Sequence, residues 1–291
     1  MKMGKILPFV LSGSLVVSLT LFGTQQSHAA EDPNQSIKDK LIEQYKIGEI
    51  QTTPSGENFT IIGVETNDVS VGKTDAPIMQ NGDIYKTDGS KVTKEEHQKD
   101  LNDIEKFKAV QEKVSKNTDL NSNKKLIITP KSKSNLITPM STYYSWNYTE
   151  SYDGISLNGA KKRDVTNTLK CPSAATGCSI TVSVTGTNSQ SFSSSVTSDL
   201  EKTAIKVGAT YTWVTSVSTT QAYTISLPKG KTGKIVFTPK QHWTVGTSKE
   251  YLVNAESGYK STVATHSNIT SYSAMKLSTG AAAGEFAGVV Y

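Results

Sequence analysis

Charge is missing from two long stretches of this chain. The 28 residues from Cys171 to Ser198 carry none, and half of them are Ser or Thr. A second neutral stretch, Val207 to Pro228, follows a short charged island holding Asp199, Glu201, Lys202 and Lys206. Arginine is nearly absent: Arg163 stands alone among the 31 basic residues. Nucleic-acid readers lean on Arg forks for phosphate and guanine, so no nucleic-acid partner is expected. Beyond residue 30 the histidines are only His97, His242 and His266, and the cysteines only Cys171 and Cys178. Their scattered spacing matches no metal site, so no metal and no cofactor is expected. There is no Gly-x-Ser-x-Gly elbow, and Gly230 and Gly233 lack the strand–helix setting of a phosphate loop. Glu150 and Asp153 read as a solvated loop pair near Gly154 rather than as a glycosidase dyad. An enzyme is not expected.

What is present begins with an export signal. Lys2 and Lys5 precede the apolar run Ile6–Phe22, and Ser27-His28-Ala29-Ala30 offers a small-residue cleavage site. Residues 1–30 are expected to be removed and the product secreted into the extracellular space. The formal net charge of +5 then loses Lys2 and Lys5 and becomes +3. No later apolar run is long enough for a spanning helix. In an exported chain Cys171 and Cys178 suggest a local disulfide around Pro172–Gly177; free thiols or an intermolecular bond are the alternatives.

Composition divides the remainder into unequal parts. Residues 31–118 form a small α+β region that could act as a removable pro-segment. Ser36 is expected to cap a short helix carrying Ile37, Leu41, Ile42 and Tyr45. A strand is expected over Phe59–Val64, and a small hairpin around the turns at Asn81-Gly82 and Asp88-Gly89. Thr93 and Glu96 form a capping box for a helix from Lys94 to Lys116. Its stripe is Leu101, Ile104, Phe107, Val110 and Val114. Residues 119–135 read as a linker. Residues 136–291 form the β-rich domain, with a hairpin expected across Pro228–Gly233. The fold class is mainly β: an elongated or sandwich-like antiparallel sheet domain after a small α+β region.

The two neutral stretches alternate apolar and hydroxyl residues. Ile180, Val182, Val184, Phe192 and Val196 mark one arm; Val207, Ala209, Tyr211, Trp213, Tyr223, Ile225 and Leu227 mark the other. Successive side chains on a strand face opposite ways, so residues 179–227 form a two-faced ribbon. A tilted strand of about 9–11 residues crosses a bilayer, and only closed barrels satisfy every backbone group there. Several chains would therefore have to assemble.

These arms, with Val207-Gly208-Ala209-Thr210-Tyr211 and Ile225-Ser226-Leu227-Pro228, resemble the core of aerolysin-type β-pore-forming toxins. The epsilon-toxin and mosquitocidal-toxin branch, with related secreted Gram-positive β-rich proteins, is the nearer comparison. The resemblance covers about Val165 to Val245. It implies an elongated β fold, a target membrane or cell-surface receptor, a homo-oligomer on the membrane and a transmembrane β-barrel. Two features depart from that pattern. Asp199, Glu201 and Lys202 surround Leu200 at the turn, and Thr185–Ser191 holds no apolar residue. The rival reading is a non-catalytic extracellular or cell-surface binding or structural protein, for which Tyr143, Tyr144 and Trp146 are the candidate contacts.

Overall fold

The computed structural model describes residues 34–66, 69–72, 75–118, 141–173 and 175–291. The expected leader at 1–30 and linker at 119–135 lie outside these residues. In chain order, helix α1 (Gln35–Tyr45) precedes β1 (Ile50–Thr52), β2 (Asn58–Thr66), β3 (Ser70–Gly72), β4 (Ile78–Met79) and β5 (Ile84–Lys86). Helix α2 (Lys94–Thr118) is followed by β6 (Thr142–Leu157), β7 (Arg163–Asp164) and β8 (Leu169–Lys170). Then come β9 (Gly177–Ser189), β10 (Ser191–Phe192), helix α3 (Asp199–Gly208) and β11 (Ser216–Pro228). The chain closes with β12 (Thr232–Asn254), β13 (Lys260–Ala274) and β14 (Gly284–Val290). The protein is mainly β, with antiparallel pairing predominating.

Two sheets pack face to face. One has the order β1-β2-β9-β11-β4, with β3 also on β2. Its inward residues Ile180, Val182, Val184, Tyr223, Ile225 and Leu227 are fully buried. They meet Ile235 and Phe237 of β12 and Phe286 of β14 in one core. Close approach requires glycine at the contact: a Cβ on Gly186 would lie 2.8 Å from the Phe286 ring. The loop between β8 and β9 is closed by the Cys171–Cys178 disulfide, as expected for an oxidising compartment.

The second sheet is organised by β12, whose 23 residues amount to about 75 Å of extended chain. Its first part, Gly233–Pro239, pairs with β14 inside the sandwich. Its second part pairs with β6 on one side and β13 on the other. This three-stranded extension positions the candidate site. Helix α2 covers one face, where Phe107, Val110 and Val114 pack on Trp243, Val245 and Tyr272. The expected capping box forms: Glu96 N donates to Thr93 Oγ1 at 3.2 Å, and Thr93 N donates to Glu96 Oε2 at 3.0 Å.

Several expectations need correction. Asn34, not Ser36, occupies the cap position of α1, and of its apolar residues only Leu41 and Tyr45 are buried. The turn at Pro228–Gly233 exists but joins no hairpin, because β11 and β12 belong to different sheets. Its reason is packing: Leu227 and Ile225 lie over Gly233 instead of beside it. Likewise β4 pairs with β11 while β5 pairs with β14, so Asn81-Gly82 passes the chain between layers. Residues 34–118 do not pack apart from the rest. Strand β2 pairs with β9, and Phe59, Ile61, Val64 and Met79 sit in the shared core. Removing 31–118 as a pro-segment would strip that core.

The amino-terminal half of α2 is fastened by charge. Lys240 donates to Asp100, and Glu285 lies beside them. Burial, then the Asp100 charge, pushes the Glu285 carboxyl up to about 7. A carboxyl with a raised folded-state pKa binds more protons folded than unfolded between roughly pH 4.5 and 7. Stability therefore falls as pH rises through that window and is level above it. Partial exposure limits the effect to about 1–2 kcal/mol. Because the lowered pKa of His242 works in the opposite sense in both proteins, the change in Tm from pH 8 to pH 5 should be more positive in wild type than in Glu285→Gln by a few degrees. An equal change in the variant would clear Glu285 of the role.

Candidate functional site

Strands β9 and β11 pair without a break, Gly177–Ser189 against Pro228–Ser216. Gln190 N donates to Thr215 O at 2.7 Å and adds one further step in the same register. A hairpin would continue from there. Instead, residues 190–215 leave the sheet as an excursion. Strand β10 crosses to pair with β13, Ser191 opposite Tyr272 and Phe192 opposite Ser271. Helix α3 then packs on β6.

The excursion covers the face of the three-stranded extension that α2 leaves open. Val196 and Ile205 are buried with Tyr148 and Ile269, flanked by Phe192, Ala204 and Trp213. Aromatic rings form a column: Tyr211 stacks on His242 at 4.6 Å and on Trp213 at 5.9 Å, and Trp213 stacks on Phe192 at 5.5 Å. The Lys206 ammonium ends it, 5.8 Å from the Phe192 ring centre. Burial pushes the Tyr211 hydroxyl well above the usual phenol range and lowers the His242 imidazole, against the opposing charge of Asp153. Glu150 ties the exit of the excursion to the sheet. It accepts from Thr244 Oγ1 at 2.5 Å and from Thr210 N at 3.1 Å.

In its present conformation this segment is poorly matched to its own sequence. Helix α3 points Leu200 and Val207 at solvent, 58% and 81% exposed, while Glu201 is wholly buried. Ser248 Oγ donates to Glu201 Oε1, and His266 Nδ1 lies 2.8 Å from the same oxygen. Glu201 Oε2 has no partner. Among the described residues, the other buried polar side-chain atoms without a partner are on His97, Ser191, Tyr211, Trp243 and Ser271. Ser191, Glu201 and Tyr211 belong to the excursion, and Ser271 is the strand partner of Phe192. Three of these six atoms thus lie in the excursion.

Continuing the β9–β11 register through 190–215 removes the mismatch. Phe192 falls opposite Trp213, Val196 opposite Ala209, and Leu200 opposite Ile205. Side-chain alternation then puts Phe192, Val196, Leu200, Ile205, Val207, Ala209, Tyr211 and Trp213 on one face. Ser191, Ser193, Ser195, Thr197, Asp199, Glu201, Lys206, Thr210 and Thr212 fall on the other. Gln190, Ser194, Ser198 and Thr215 are the polar exceptions on the apolar face, and Ala204 and Val214 the apolar exceptions opposite. Local disagreement of this kind with the adopted conformation is expected at functional or strained segments.

The sequence-predicted residues thus divide. Ile180, Val182, Val184, Tyr223, Ile225 and Leu227 lie in the sandwich core; Phe192, Val196, Val207, Ala209, Tyr211 and Trp213 lie in the excursion. The second arm was expected to be extended from Val207; it is extended only from Ser216, and 199–208 is helical. The reason is local: acidic residues in the first turn and an Asp199–Lys202 ion pair at 2.9 Å favour a helix. Leu200, Ile205 and Glu201 were missed because the charged island hid the alternation. Tyr143 and Tyr144 are exposed at the far end of β6, whereas Trp146 lies against His266 at 5.4 Å. No helix among the described residues is long and apolar enough to cross a membrane. No protein-family model, curated protein or solved structure matches the chain.

Proposed function

We propose that this is a secreted, non-enzymatic pore-forming protein whose excursion, 190–215, converts to a β-hairpin, inserts into a target membrane and closes a barrel with other copies. The observation that carries this reading is the fit of 190–215 to the continued β9–β11 register and its misfit to the conformation it holds. On the apolar face, Phe192–Leu200 and Ile205–Trp213 each cover nine residues, the length of a tilted transmembrane strand of about 9–11 residues. Phe192, Tyr211 and Trp213 then gather at one rim, as in an interfacial aromatic girdle. The hydroxyl-rich face suits a water-filled lumen.

Energetics favour the excursion over the whole 179–227 ribbon as the moving part. Exposing the six buried side chains of β9 and β11 costs roughly 9–18 kcal/mol, comparable with the entire stability of a domain, roughly 5–15 kcal/mol. The excursion buries less and carries partnerless polar groups. Strands β9 and β11 then act as a fixed stalk that dictates the register. The test is release of trapped dye from vesicles and from target cells, with detergent-resistant oligomers on gels. Complete dye retention with a persistent monomer, also after nicking within 119–135, would sink the reading.

The exposure of Tyr143 and Tyr144, 55% and 57%, supports a second reading: a cell-surface binding protein. Under it, the protein is retained on cell-wall material without leakage, and the Tyr143→Ala/Tyr144→Ala variant loses most of that retention. Retention equal to wild type would remove those side chains from consideration.

A further inference from the structure

We infer that the assembled pore passes cations in preference to anions and that Glu201 sets this preference. The inference rests on the reading of 190–215 as the inserting hairpin and adds what crosses it. In the continued register Asp199 falls opposite Lys206, and Glu201 opposite Ala204. All three charged residues share the hydroxyl face. Asp199 and Lys206 neutralise each other across the strand pair, whereas Glu201 has no cation opposite. Lys202 sits at the reversal of the chain, where the hairpin emerges into water on the far side.

The rest of the hydroxyl face, from Ser191 to Thr197 and from Thr210 to Thr212, is uncharged. On the hydroxyl face each copy therefore contributes one carboxylate with no cation directly opposite it, close to the far mouth. A ring of such groups between low-dielectric walls concentrates cations and repels anions. A separate observation points the same way. In the stored form Glu201 is completely buried, shares one oxygen between Ser248 and His266, and leaves the other unpartnered. Burying a carboxyl group with one oxygen unpartnered is unfavourable, and an apolar side chain would pack α3 against the sheet more favourably. A role for the carboxylate in the other conformation accounts for its presence.

The experiment is the reversal potential of single channels in planar bilayers across a KCl gradient. Wild type should favour potassium over chloride by about threefold or more. Glu201→Gln should bring the ratio close to unity. Should that variant fail to fold, Lys206→Gln reads the same device from the other side: freeing Asp199 should raise the cation preference. Anion preference in the wild type, or ratios unmoved in both variants, would overturn the inference while leaving the pore intact. Absence of any conductance would remove the pore reading, and this inference with it.

Discussion

Val207→Lys is expected to abolish dye release without changing the Tm of the soluble protein. Val207 is 81% exposed on the outer side of α3, so a lysine there meets water. Lysine is also a better helix former than valine. Surface changes of this kind stay within about 0.5 kcal/mol. In the inserted hairpin the same position faces lipid, where a lysine costs about 2–4 kcal/mol near the midplane. Every copy in the ring bears that cost, so even one ring position should reduce release by more than about tenfold. Thr212→Lys is the matched control. Thr212 is also exposed, but it falls on the hydroxyl face and should tolerate the charge. If both variants leak alike, the continued register is wrong, whatever else the protein does.

A staple on the excursion should produce an equally large and reversible loss. Ser191 of β10 and Tyr272 of β13 are direct partners in an antiparallel pair. Partners of this kind have Cα atoms about 4.5–5.5 Å apart, within the range a disulfide bridges. Oxidised Ser191→Cys/Tyr272→Cys protein should release dye at least about tenfold more slowly than wild type, because the excursion cannot leave the sheet. Reductant should restore release. The single variants control for loss of the Tyr272 contact with Phe107, 6.0 Å between ring centres. Wild type under the same reductant controls for the native Cys171–Cys178 bond. Full leakage from verified oxidised protein would mean that 190–215 is not the part that moves.

Both experiments use features that differ in how far the sequence announced them. The outer parts of the two arms were legible from alternation, and β9 and β11 pair there. Helix α2 was legible because its capping box and apolar stripe act within a few residues of each other. The turns at Gly82, Gly89 and Gly230 were also legible, each glycine having a positive φ. The Gly89 turn closes the small hairpin expected there, with Tyr85 bridged to Lys91, but what the Gly82 and Gly230 turns connect was not legible. A turn fixes a reversal of direction, but neighbouring sheets compete for the strand that follows. Packing of Leu227 and Ile225 over Gly233 sends β12 to the opposite layer. Helix α3 was set aside for the reverse reason, although Ser198-Asp199-Leu200-Glu201 offers a capping box. Its local charges favour a helix and Leu200, Ala204 and Val207 recur at helical steps, whereas Ile205, Val207, Ala209, Tyr211 and Trp213 alternate as in a strand, and periodicity cannot rank the two.

The order of residues alone determined the alternation of 190–215, the neutrality of both arms and the location of the few charges between them. These follow from side-chain chemistry and from the two-residue repeat of a strand, and they hold in any conformation. Tertiary structure decided which register the alternation must obey, because only the β9–β11 pairing fixes which residues face each other. It also decided that Glu201 is buried and Val207 exposed. That outcome depends on the open face of the β6–β12–β13 extension, in which β6 and β12 pair residues as far apart in the chain as Thr142 and Asn254.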